Sequence, residues 1–121
     1  MKKWTVACVA LAVSLVGVAA MSADDPPPIK EIMKKAHTPP GKSLLSKVTS
    51  GKASDEEKKQ LVELYEALGK NKPPKGDEEE WKKRTDAMIA AAKDVAEGAK
   101  GAPAKLGKTV NCGACHKAHR A

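Results

Sequence analysis

The stretch SDEEKKQLVELYEALG, residues 54–69, decides the fold class. Ser54 and, three residues on, Glu57 form a capping-box pattern: the hydroxyl takes the third amide of the helix and the carboxylate returns to the cap amide. Leu61, Leu64, Tyr65 and Leu68 then recur at helical spacing on one face, and Gly69 is placed to end the helix in a left-handed cap. Toward the C-terminus, a basic, Pro-rich connector covers residues 70–76, and Asp77 with Glu80 repeats the capping pattern. The helix opened there runs to about Ala99, with Trp81, Met88, Ala92, Val95 and Ala99 on one side and Gly98 and Gly101 closing it. A last helix begins near Pro103, a favourable first-turn residue, and continues through Leu106, Val110 and two cysteines to Arg120.

In the other direction, a first helix runs from about Ile29 to His37, after Pro26-Pro27-Pro28 and before Thr38-Pro39-Pro40-Gly41. Ile29, Ile32, Met33 and Ala36 share its apolar face. Residues 42–52 are harder to place; Leu44, Leu45 and Val48 could form a short turn of helix packing inward. No alternating β-branched run or flanked hairpin dipeptide suggests a strand. The expectation is an all-α chain of four helical segments, folded as an antiparallel, up-down four-helix bundle.

The chain opens with Lys2 and Lys3, an uncharged apolar run over residues 6–18, and small residues at Ala19 and Ala20. That pattern reads as a secretory signal peptide over residues 1–20, with cleavage after Ala23 as the rival position. An uncleaved anchor would need roughly twenty apolar residues, more than this run supplies. Residues 21–28 then form a Pro-rich lead-in and residues 29–121 one domain, exported to the periplasm, with no stable membrane insertion after cleavage. A length of 121 residues argues against a large multi-domain enzyme. The whole chain has 2 Trp, 1 Tyr and no Phe, a thin supply of bulk that calls for something else in the core. Its net charge is +7, but the basic residues are interleaved with Glu and Asp along every helix, which argues against nucleic-acid binding. No Ser/His/Asp or paired-carboxylate constellation points to hydrolysis.

Chemistry concentrates at Cys112-Gly113-Ala114-Cys115-His116, the C-x-x-C-H pattern of covalent c-type haem attachment. Two thiols must add to the two vinyl groups of one porphyrin while an imidazole reaches the iron. Positions i, i+3 and i+4 share a helix face, so Cys112, Cys115 and His116 can address one flat ligand. Gly113 and Ala114 are small enough for close approach. A disulfide closing so short a loop would stabilise little; a thioredoxin-like pair lacks its βαβ surroundings; zinc would need a fourth ligand. With a single haem bound, a gap is expected between the first and last helices, at Met33 and Cys115, where the flat ligand would lie.

In this layout the mature chain resembles class II cytochromes c, the cytochrome c-prime group and its low-spin relatives. The specific part of the likeness is Cys112 to Arg120. The family commonly places an aromatic and then a basic residue after the motif; here His119 stands in the aromatic position, as a haem-edge or solvent group, and Arg120 keeps the basic one, which implies a propionate contact. The resemblance implies His116 as proximal iron ligand and, in the low-spin branch, a distal Met on the first helix, where Met33 lies. His37, one turn on, is the alternative distal ligand, and a vacant site is the third reading. It thus implies a mono-haem, iron-binding electron carrier, not an enzyme, whose lysines would steer an acidic redox partner. Homodimers are frequent in the family. Two other functions stay open: a five-coordinate haem protein that binds or senses a small gas such as NO or CO, as in the high-spin branch, and a peroxidase-like site using His37 or His119.

Overall fold

A computed structural model describes residues 25–121. The elements, in chain order, are α1 (Ile29–His37), α2 (Leu44–Thr49), α3 (Asp55–Lys70), α4 (Glu78–Ala96), α5 (Ala102–Thr109) and α6 (Cys112–His119), with no strand among the described residues. The expected signal peptide and its cleavage site lie outside the described residues. No helix among those described is long and apolar enough to cross a membrane.

Helix α3 follows its sequence closely. Ser54 Oγ accepts from the Glu57 amide at 3.2 Å and Glu57 accepts from the Ser54 amide, so both halves of the capping box are made. Leu61, Leu64, Tyr65 and Leu68 are all buried. Each fully buried leucine side chain contributes about 1.5–3 kcal/mol relative to an exposed one. Gly69, however, does not terminate the helix. It lies inside α3, where a Cβ would sit 3.4 Å from both Thr85 and Ile89 of α4, so its small size serves close approach of the two helices. The helix ends one residue later, and Asn71 caps it by donating its side-chain amide to the carbonyls of Ala67 and Pro27.

Three other expectations need correction. Asp77 caps the Glu79 amide, but Glu80 turns to Arg84 instead of closing a box. Helix α4 ends at Ala96, earlier than the pattern suggested, and Ala99 is exposed. The last segment is two helices, because the chain leaves helical geometry at Val110 and Asn111 and starts afresh under an Asn111 cap. Residues 44–49, hard to place from the pattern, form a helix capped by Ser43, with Val48 buried.

Packing centres on α3 against α4; α5 lies on α4 and α2, and α1 and α2 lie on α3. Helix α6 makes only slight backbone-level contact with the other helices. Its C-terminal end is tied instead by one residue, His119, which is buried edge-on against Trp81 at 5.2 Å between ring centroids. His119 Nδ1 donates to the Lys75 carbonyl at 3.0 Å. Gly76, at φ +89°, lets the connector press there: a Cβ would fall 2.5 Å from the Ala118 carbonyl oxygen.

Candidate functional site

Asn111 begins the site. Its side-chain oxygen accepts from the Ala114 amide at 3.0 Å, which fixes the first turn of α6 and puts Cys112, Cys115 and His116 along one wall. Cys112 and His116 are exposed and Cys115 is half-buried; both cysteines are free thiols. Burial raises the Cys115 thiol above its usual range, an effect that Arg84 partly offsets.

A cavity of about 250 Å³ opens between this wall and α1, α3 and α4, with Met33, His37, Leu68 and Met88 among its lining. A second, of about 550 Å³, shares Met33, Cys115 and His116 with the first and adds Trp81, His119 and Arg120. The second alone has the size of small-molecule and cofactor sites, roughly 300–1,000 Å³, and the first lies just below it. The residues therefore fit a haem on three counts. Two thiols and an imidazole border one cavity, the opposing side offers a thioether, and the lining is mostly apolar carbon. Zinc fits less well, since the described residues hold no cluster of three or more His, Cys, Asp or Glu able to grip a metal ion.

Of the residues singled out in the sequence, Cys112, Cys115, His116, Met33 and His37 border the first cavity together. Arg120 is exposed and borders only the second. His119, anticipated as a haem-edge or solvent group, is no solvent group: it is 2% exposed, and its Nε2 has no hydrogen-bond partner. The ring takes the buried position because Trp81 and the Lys75 carbonyl offer it an apolar wall and an acceptor.

His37 occupies an unexpected place. Its Nδ1 lies 3.2 Å from the Met33 Sδ and its Nε2 lies 3.0 Å from the Tyr65 hydroxyl. Both ring nitrogens are thus engaged. Burial lowers the His37 pKa, and coulombic repulsion with His116 lowers it further, both favouring the neutral ring. Tyr65 is fully buried, and burial holds its phenol well above the usual range and keeps it protonated. From the sequence Tyr65 reads as core that could touch a bound ring; its hydroxyl at an apolar helix position was the available signal of a polar partner. The chain matches no protein-family model, no curated protein and no solved structure.

Proposed function

We propose that this chain is an exported mono-haem c-type cytochrome acting in electron transfer, resembling the low-spin class II cytochromes c. In this reading α1, α3 and α4, with α5 and α6 together, are the four members of an antiparallel bundle, and the α6 end carries the haem. The observation that carries the reading is the shared cavity: Cys112, Cys115 and His116 border it from α6, and Met33 borders it from α1. Cys112 and Cys115 would hold the haem as thioethers, each thiol adding its S–H across one vinyl double bond. His116 would bind the iron on the proximal side and Met33 on the distal side, and the exposed guanidinium of Arg120 would meet a propionate. Bound there, haem iron supplies a one-electron Fe(III)/Fe(II) couple. Leu68, Met88 and Val110 give that volume apolar walls, which would limit reorganisation around a changing charge. Redox partners with acidic faces would meet the lysine-rich surface, and association would weaken with salt.

Expression with periplasmic export and haem attachment provides the test. Acid-acetone extraction should leave the haem on the protein, and Cys112→Ser with Cys115→Ser should release it. The ferric protein should show low-spin bands and a weak near-infrared sulfur-to-iron feature, both lost in Met33→Ala. High-spin bands in the unaltered protein, with rapid CO or NO uptake, would replace electron transfer with gas binding.

A further inference from the structure

Met33 is a flexible side chain with three rotatable bonds, and a thioether on such a chain needs something to aim it. Its neighbours in the structure do so. A thioether sulfur can only accept, so the contact at 3.2 Å requires the His37 proton to sit on Nδ1. In the neutral ring Nε2 is then a bare acceptor, and the Tyr65 hydroxyl at 3.0 Å is its donor. The opposite tautomer would set the Nδ1 lone pair against the sulfur lone pairs. With a neutral ring, only one arrangement of protons satisfies all three groups. The rigid end of the chain is the phenol, which is fully buried on α3.

We propose that Tyr65 and His37 are positioning residues for Met33, holding its sulfur through Tyr65 Oη–H to His37 Nε2 and His37 Nδ1–H to Met33 Sδ; the assignment rests on the reading of Met33 as distal iron ligand. The consequences are chemical as well as geometric. A thioether sulfur has two lone pairs; the imidazole N–H takes one and leaves the other for iron. The hydrogen bond draws electron density from the sulfur, which weakens its donation to ferric iron more than to ferrous iron and raises the reduction potential. His37, with both nitrogens committed, is withdrawn from competition as a ligand.

The test compares the haem-loaded protein with Tyr65→Phe, His37→Phe and His37→Gln. Nitrogen-15 spectra of His37 in the unaltered ferrous protein should show the proton on Nδ1, and Tyr65→Phe should shift the population toward Nε2. The reduction potential should fall in Tyr65→Phe and fall further in His37→Phe, where the near-infrared sulfur-to-iron band also weakens. His37→Gln, which can still donate to sulfur, should recover part of both. Tyr65→Phe is nearly isosteric, so it separates loss of the hydroxyl from loss of packing. Unchanged potentials and an unchanged band in Tyr65→Phe and His37→Phe would overturn the positioning role while leaving Met33 as ligand. Absence of the band in the unaltered protein would overturn Met33 ligation itself, and a bis-histidine spectrum there would identify His37 as the ligand instead.

Discussion

The α3–α4 pair and the motif helix α6 are held in place by opposite means. Helix α3 has a complete capping box, four buried apolar side chains and a glycine that brings it close to α4. Helix α6 spans only Cys112–His119, below the roughly 12–15 residues at which even good isolated helices become marginal. Between its ends Gly113, Ala114 and Ala118 offer little side chain, and Cys115 alone packs partly against the core. It is secured by Asn111 at one end and His119 at the other, while its middle borders two cavities. The first region is complete with its own atoms; the second leaves room for more. On the proposed reading, haem supplies the missing contacts.

Substitutions can break or sharpen this contrast. The largest effect is expected for Leu61→Ala on α3: the fully buried leucine leaves a cavity, and chemical denaturation should show a loss of about 2–5 kcal/mol. A loss below about 1 kcal/mol would mean that α3 is not the centre of stability. Gly76→Ala comes next, at about 1–3 kcal/mol, because the new Cβ meets the Ala118 carbonyl at a positive φ. Its diagnostic readout is hydrogen exchange: amides of α6 should lose protection while those of α3 and α4 keep theirs. A uniform loss would show that α6 is not separately tied. The smallest effect is expected for Ser54→Ala, about 1 kcal/mol from the lost cap, seen as a lower denaturation midpoint with an unchanged slope.

The helical character of the chain was readable because its apolar residues repeat at helical spacing and Ser54 and Asp77 mark two starts. What misled was the double use of single residues. Gly69 suits a left-handed cap, yet its place against Thr85 and Ile89 depends on where α4 lies, which no local pattern encodes. Asn111 is a good cap in its own right, but the continuing apolar spacing of Leu106 and Val110 argued for one unbroken helix. At the site, Cys112, Cys115 and His116 are neighbours in sequence, and Met33 and His37 are one turn apart; their grouping follows from helical periodicity. The Tyr65–His37 bond joins residues 28 apart, and the His119–Lys75 bond residues 44 apart. Both depend on the register between elements, which local periodicity leaves open.

The tie at Gly76 and His119 also bears on the order of assembly. Because α6 is tied mainly at its ends, with Cys115 its one mid-helix contact to the core, α1 to α5 can reach their mutual packing while the thiol-bearing strap still hangs outward, open on the proposed reading to haem attachment. Closing it then sinks one imidazole beside Trp81 and half-buries Cys115, while Cys112 stays exposed. The connector glycine would act as a clasp, making docking of α6 the last step of assembly.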